Sequence, residues 1–179
     1  MMRLTIIILG IFAAQGIWAA SPYKKTLSTK KGDYSRDGVF IGGKAGTGTS
    51  LLNVRRIFSK KAKLERVIVD LGDHEMQPLG KNMSYFQVNL DSQNNRVVLD
   101  LAQLRFSKVS EAAVRRLFQK SPFVKSVSLT MDPEDKAATM VLQLRRPVKL
   151  EVYQSLKDRK PARIVMDLIP AVSTGRRSL

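Results

Sequence analysis

The chain has 179 residues, a formal net charge of +16, no cysteine and a single histidine. This length suits one domain that is held together by its own hydrophobic core. Without cysteine the chain has no disulfides and no thiol chemistry, and one histidine leaves little material for a zinc centre or a Ser-His-Asp triad. We therefore expect no enzyme activity, no catalytic residue, no metal site and no cofactor.

The first twenty residues predict a signal peptide. Arg3 forms a short basic region, the stretch from Leu4 to Gly16 is mostly apolar, and Ala19 and Ala20 end the segment with small side chains. This order is typical of a secretory leader, and the apolar run is shorter than the roughly 20 residues that span a bilayer. We expect cleavage after Ala19 or Ala20, a periplasmic location, and a mature protein that is not integral to the membrane.

The basic charge narrows the choice of partners. Outside the cytoplasm an excess of Lys and Arg favours anionic envelope polymers or membrane surfaces over nucleic acid. Peptidoglycan stem peptides carry carboxylates, and lipopolysaccharide carries phosphates. The same charge also fits a role in solubility alone, so it does not decide between these partners.

Residues 21–50 predict a flexible basic linker. Gly, Ser and Thr dominate its second part, as is typical of flexible segments. Lys44 comes too early among these glycines for a phosphate-binding loop, so we expect no nucleotide site. Four lysines crowd its first part: Lys24, Lys25, Lys30 and Lys31.

From residue 51 onward, short apolar runs alternate with polar residues at period two, which predicts strands. The segment Ser110–Lys120 differs, because its apolar residues follow a helical spacing, with Ser110 as N-cap and Pro122 beyond its end. Residues 171–179 predict a loose tail. Eight strands are predicted, namely Leu52–Phe58, Glu65–Leu71, Ser84–Leu90, Arg96–Leu101, Val124–Met131, Thr139–Leu144, Val148–Tyr153 and Arg163–Leu168.

A six-residue motif recurs in these strands and consists of Arg, three apolar residues, Asp and Leu. It spans Arg66–Leu71, Arg96–Leu101 and Arg163–Leu168, and a degraded copy, Thr139–Leu144, has Gln143 in place of Asp. The uneven spacing excludes a solenoid and indicates two halves of four strands each, joined by the helix. We expect an all-β sandwich of two internally repeated four-stranded sheets with one short joining helix.

With these motifs, and with the segment Leu142–Gln154 that leads to Arg163–Pro170, the chain resembles the AMIN domain family over about residues 51–170. Members of that family are duplicated β-sandwich modules found ahead of bacterial N-acetylmuramoyl-L-alanine amidases and in the secretins of type IV pili. The resemblance implies a periplasmic module that attaches an envelope protein to peptidoglycan or to the division site. Gln143 and the longer joining helix are departures from the family pattern.

Strand alternation assigns the two faces of each motif. In the first copy, Val67, Val69 and Leu71 should face the core, while Arg66 and Asp70 should face outward. Outward guanidinium groups are suited to bind stem-peptide carboxylates through paired hydrogen bonds, and outward Tyr rings can stack on sugars. Cross-strand charge ladders without a ligand are the alternative. The candidate ligand-binding residues are Arg66, Asp70, Arg96, Asp100, Arg163, Asp167, Tyr85 and Tyr153.

The sequence leaves three functions open. The leading prediction is a non-catalytic periplasmic module that binds peptidoglycan and localises or anchors an envelope machine. The alternative is a protein–protein adaptor of a pilus, secretion or division complex that does not bind peptidoglycan directly and uses a sheet edge or the helix. A third is binding to a membrane or to lipopolysaccharide through the basic linker, residues 21–50.

Overall fold

The structure is a computed structural model that describes residues 23–46, 48–79 and 83–171. The predicted signal peptide and residues 172–179 of the predicted tail lie outside the described residues. Within these ranges the strands and the helix are β1 (Tyr23–Lys25), β2 (Gly38–Gly42), β3 (Thr49–Ser59), β4 (Leu64–Gly72), β5 (Phe86–Asp91), β6 (Arg96–Leu101), β7 (Leu104–Ser107), α1 (Glu111–Phe118), β8 (Val124–Asp132), β9 (Ala137–Leu144), β10 (Val148–Ser155) and β11 (Ala162–Pro170).

The strands form two sheets that pack face to face over one hydrophobic core. One sheet has six strands in the order β1-β2-β5-β6-β9-β8, and the other has five in the order β10-β11-β4-β3-β7. Adjacent strands are antiparallel except in the pairs β1–β2 and β3–β7. The all-β sandwich is therefore confirmed, and each of the eight predicted strands overlaps an observed one.

Each predicted half contributes to both sheets, which corrects the expected arrangement of two four-stranded sheets. The hairpins β3–β4 and β10–β11 lie in the five-stranded sheet, while β5–β6 and β8–β9 lie in the six-stranded sheet. A short turn dictates pairing within a hairpin, whereas pairing between hairpins depends on the whole fold. The halves meet where β4 pairs with β11 and β6 pairs with β9. Both of these pairs join two motif strands.

The segment predicted as a flexible linker is part of the sandwich, and the structure corrects that prediction. β1 and β2 extend the six-stranded sheet beyond β5, and Phe40 is buried in the core. Between these strands the chain crosses to the other sheet, where Leu27 and Ser35 form bridges with β10. The short apolar run that centres on Phe40 is the signal for β2, but the lysines and glycines around it obscure that run.

The core-facing side of each motif is confirmed. The alternate apolar residues of the motif strands are buried on the inner faces of the two sheets. β7 was not predicted, because it is only four residues long and exposes Arg105 and Phe106. It pairs in parallel with the beginning of β3 and completes the five-stranded sheet.

The joining helix is confirmed as α1. The Ser110 side chain caps its N-terminus by accepting a hydrogen bond from Ala113 N at 3.3 Å. Val114 and Phe118 are buried against the sandwich, whereas Leu117, expected on the same apolar side, is 38% exposed. In the part of the chain that the structure describes, no helix has the length and apolar character needed to cross a membrane.

Candidate functional site

The motif strands β4 and β11 pair so that the Arg of each motif faces the Asp of the other. In the antiparallel register Arg66 lies opposite Asp167, and Arg163 lies opposite Asp70. Arg66 donates to Asp167 through Nε at 2.6 Å and Nη2 at 2.8 Å, and Arg163 Nε donates to Asp70 at 2.9 Å. A motif with Arg at one end and Asp at the other is thus complementary to an antiparallel copy of itself. This explains the recurrence of the motif structurally.

Asp167 is fully buried and holds two cations. In addition to Arg66, Lys30 Nζ lies 2.7 Å from Asp167 Oδ2. Burial alone raises the pKa of Asp167, but the hydrogen bonds from Arg66 and Lys30 outweigh it, and the net pKa lies below the usual value. The carboxylate therefore stays charged, and it is not available to a ligand.

Asp70 is buried as well and is also shared between two cations. Arg55 on β3 forms a two-pronged contact with it, since Nε and Nη2 each donate at 2.9 Å. Arg163 reaches the same carboxylate from β11 through Nε. The prediction that Asp70 and Asp167 present accessible carboxylates is therefore wrong, because pairing with cations lets both acids withdraw from solvent.

Three guanidinium groups, which we call the arginine face, remain partly exposed on the outer side of the five-stranded sheet. They belong to Arg55, Arg66 and Arg163, whose side chains are 39%, 31% and 31% exposed. Because each is held by a buried carboxylate, its orientation is fixed without a ligand. Arg55 was missed from the sequence because it lies in no motif, although its β3 position places it opposite Ile68 and diagonal to Asp70.

Tyr153 lies beside the arginine face on β10. Its ring centroid is 5.8 Å from the Arg66 guanidinium carbon, so one side of the ring contacts a cation. Partial burial, followed by the nearby charge of Asp167, raises the pKa of its hydroxyl. Glu151, two residues earlier, is buried and accepts hydrogen bonds from the backbone of Lys31 and Gly32. At the Arg66 end of the face, two cations, Arg66 and Lys30, are balanced by two acids, Asp167 and Glu151. At the other end, two arginines share Asp70 alone.

The other motif pair, β6 with β9, lies on the opposite outer surface of the sandwich. Here Arg96 faces Gln143, and Asp100 faces Thr139, which donates to it at 2.7 Å. Thr139 therefore remains a hydrogen-bond partner of Asp100, whereas the side chain of Gln143 donates to the carbonyls of Asn94 and Asn95. Arg96 instead pairs with Asp91 at 3.0 Å. Arg96 and Asp100 are consequently separated by the core from the other predicted motif residues.

Tyr85 lies in a third place, at a groove of about 680 Å³ between the two N-terminal strands and the end of β10. The residue is 37% exposed. Gly42 and Gly43 form one wall, and Gln154 forms part of the other, with a buried side-chain oxygen that has no partner within the described residues. The eight predicted residues are thus divided among two faces and one groove.

The arginine face combines oriented donors with a surplus of positive charge at its Asp70 end. Guanidinium groups of this kind bind carboxylates or phosphates through planar hydrogen-bond pairs. No group of three or more His, Cys, Asp or Glu side chains placed to hold a metal ion occurs within residues 23–46, 48–79 and 83–171. Comparison of the chain with models of protein families and with curated proteins found no match in either set.

Proposed function

We propose that this protein is a non-catalytic binding module of the bacterial cell envelope that docks on peptidoglycan through its arginine face. The observation that carries the proposal is the arrangement of Arg55 and Arg163 around the single buried Asp70. Two cations share one acid, so a second carboxylate, supplied by a stem peptide, can complete the pairing. The resemblance to the AMIN family and the predicted secretory leader support the same placement in the envelope.

The free hydrogen-bond donors indicate where such a carboxylate would bind. Within the described residues, Arg163 contacts Asp70 through Nε alone. Its two terminal nitrogens are therefore left to donate to an acceptor from a ligand. Arg55 uses Nε and Nη2 and retains Nη1. The carboxylate would therefore be bound between the outer edges of two guanidinium groups, beside Tyr153 in the neighbouring row of the sheet.

The experiment is co-sedimentation of the chain with insoluble peptidoglycan sacculi. The double variant R55K/R163K keeps both charges near Asp70 but removes the planar forks, so we expect sacculus binding to weaken by roughly tenfold. The matched control is R105K/R116K, which alters two exposed arginines that are not among the partners of Asp70 or Asp167 and should bind like the parent. Binding should also fall as salt is raised.

The outcomes distinguish binding through the arginine face from nonspecific electrostatic binding to the sacculi. Unchanged binding by R55K/R163K would mean that overall charge, not the planar guanidinium groups of the arginine face, drives sedimentation. Equal loss in R55K/R163K and R105K/R116K would mean that arginines in general, and not this face, bind the sacculi. No sedimentation of the parent at low ionic strength would remove the proposal. Circular dichroism of each variant shows whether the sandwich is intact, so a folding defect is not mistaken for loss of binding.

An adaptor role is the second candidate function, and the position of β8 favours it. Within the described residues β8 ends the six-stranded sheet and pairs with β9 alone, while α1 packs against it. The part of its other edge that the helix leaves uncovered is a template for strand addition by a partner. Cross-linking in cells from position Lys125 or Met131, both exposed on β8, should then recover one protein partner while sacculi do not bind. Cross-links spread over many unrelated proteins would contradict an adaptor role.

A further inference from the structure

Large apolar side chains are exposed at one end of the sandwich. Ile57 and Phe58, at the end of β3, are 53% and 36% exposed, and Leu117, in the last turn of α1, is 38% exposed. The Phe58 ring also makes an edge contact with Phe123, which follows the helix, at 6.2 Å between centroids. Ile57 and Phe58 are consecutive on the strand, so Ile57 lies on the outer side beside Arg66 while Phe58 points toward Phe123. With Leu117 they place exposed apolar side chains around the end of β3, and we call these three residues the apolar surface.

Hydrogen bonds from a buried ion pair of the sheet join the end of α1 and the segment after it to β3 and β4. Glu65 is fully buried, pairs with Arg56 and accepts a hydrogen bond from Ser121 Oγ at 2.8 Å. The Arg56 guanidinium also donates to the carbonyl of Lys120 at 3.1 Å and to that of Leu117 at 3.5 Å. The exposed apolar side chains therefore belong to a strand and a helix that hydrogen bonds join, and not to a loop.

Exposed cations surround the apolar surface. They come from the β3–β4 turn, from the segment after α1 and from the connection between β9 and β10. The Arg146 guanidinium lies 5.6 Å from the centre of the Phe123 ring, which links the third segment to the other two. We call this surface the basic end, and it consists of Ile57, Phe58, Leu117, Lys60, Lys61, Lys63, Lys120, Arg145 and Arg146.

Acidic residues are missing from the segments that build the basic end. Residues 53–64, 112–131 and 136–150 contain no Asp or Glu. Glu65 is buried beneath the surface and is already paired. Asp91, the last residue of β5, marks the border on the six-stranded side, where it is bound to Arg96. The charge of the basic end is thus positive and is not cancelled locally.

We propose that the basic end docks on an anionic lipid surface. Its Lys and Arg side chains contact the phosphate groups, and Ile57, Phe58 and Leu117 enter the boundary between head groups and acyl chains. Basic residues around exposed aliphatic and aromatic side chains are the combination that binds such an interface, because electrostatic attraction and burial of apolar area act together. A polymer of sugars and peptides offers no apolar layer for these side chains, so lipid fits this surface better than peptidoglycan.

The basic end adjoins the arginine face, because Ile57 lies opposite Arg66 on the outer side of the five-stranded sheet. The cations of the basic end lie in the turns and connections beyond the strand ends, whereas Arg55 and Arg163 flank Asp70 farther along the sheet. The protein would therefore hold a membrane next to the edge of the arginine face.

The test is co-sedimentation with vesicles made of equal parts phosphatidylglycerol and phosphatidylcholine, compared with phosphatidylcholine alone. The protein used lacks residues 1–20, so the apolar leader cannot insert, and all described strands are retained. We expect binding to the anionic vesicles only. K60Q/K61Q/K63Q should lower it by at least about tenfold, whereas K157Q/R159Q/K160Q, which removes the same charge from the β10–β11 turn at the opposite end, should change it by less than about twofold.

The apolar contribution is tested separately with I57S/L117S. This variant should lose vesicle binding about as strongly as the lysine variant, but it should still bind the soluble polyanion heparin like the parent. Unchanged vesicle binding by I57S/L117S would show a purely electrostatic contact and overturn the lipid proposal, as would equal losses in the two triple charge variants. The assay contains no peptidoglycan, so its result is independent of the sacculus experiment.

Discussion

Lys30 Nζ lies 2.7 Å from Asp167 Oδ2, although 137 positions separate the two residues. The contact ties the crossing segment between β1 and β2 to the last motif strand. Asp167 is at the same time the partner of Arg66 on β4. One buried carboxylate therefore joins three parts of the chain, and the segment that sequence composition assigns to a linker is held to the sandwich by a charged hydrogen bond.

Replacement of Lys30 by Met should loosen this segment. Lys30 is partly exposed and screened by solvent, so we expect a loss of about 1 kcal/mol or less in the free energy of unfolding. Hydrogen exchange should be faster at the amides of Lys31 and Gly32, which donate to Glu151. The control is K31M, whose backbone contact with Glu151 is preserved. Equal exchange rates in K30M and K31M would show that the Lys30 contact has no such role.

Asp167 should make stability depend on acid pH. Its pKa is lowered in the folded protein, so its stabilising effect is complete above the usual Asp pKa of about 3.9 and is lost as the pH falls through the folded value. D167N should cost roughly 2–4 kcal/mol near neutral pH, and this difference from the parent should shrink below about pH 4. Urea unfolding at several pH values measures it. D135N, at an exposed turn, should differ from the parent by less than about 0.5 kcal/mol throughout, and a constant deficit of D167N at all pH values would contradict the assignment.

Restoration of the charge opposite Asp100 should stabilise the six-stranded sheet. The variant T139R would place an arginine opposite Asp100, as Arg66 lies opposite Asp167 in the intact pair of motif strands. A cross-strand ion pair is worth about 0.2–1 kcal/mol, whereas T139D would place like charges opposite each other and should be less stable than the parent. Gln143 is left unchanged, because its side-chain nitrogen donates to the carbonyls of Asn94 and Asn95. A higher melting temperature for T139D than for T139R would refute the complementarity of the motif.

Gly43 and Gly46 provide a matched pair of backbone substitutions. Both have positive φ, 73° and 93°, so a side chain is strained at either position. A Cβ at Gly43 would also collide with the backbone carbonyl of Ser84, whereas at Gly46 nothing lies within 4 Å. G43A should therefore cost roughly 1–3 kcal/mol more than G46A, measured by thermal unfolding. Equal melting temperatures would mean that the Lys44–Ser84 bridge does not restrict this turn.

The core-facing side of each strand could be predicted from the sequence, because burial of every second side chain gives the apolar residues a period of two. Val67, Val69 and Leu71 alternate with other residues, and that alternation is sufficient to indicate a strand with one core face. The joining helix could be predicted as well, because Ser110 is a typical N-cap residue. Period two does not reveal which hairpins share a sheet, since every hairpin offers the same apolar face to either sheet.

The environment of the side chains on the outer side of the sheets was harder to predict, because it depends on contacts with residues distant in sequence. Asp70 and Asp167 occupy the predicted outer face, yet they are buried because Arg55 and Lys30 join the motif arginines around them. Neither Arg55 nor Lys30 belongs to a motif. The arrangement of Arg66 and Arg163 opposite two Asp residues was foreseen only as a general cross-strand ladder.

The arginine face is tested most directly by nuclear magnetic resonance of the arginine Nε–H groups during titration with soluble peptidoglycan fragments that carry free stem carboxylates. We expect the signals of Arg55 and Arg163 to shift, with the Arg66 signal moving less and that of Arg96, on the opposite surface, unchanged. Fragments whose stem carboxylates are amidated should have little effect. Shifts confined to Arg96, or no shift of any arginine at saturating fragment, would contradict the account.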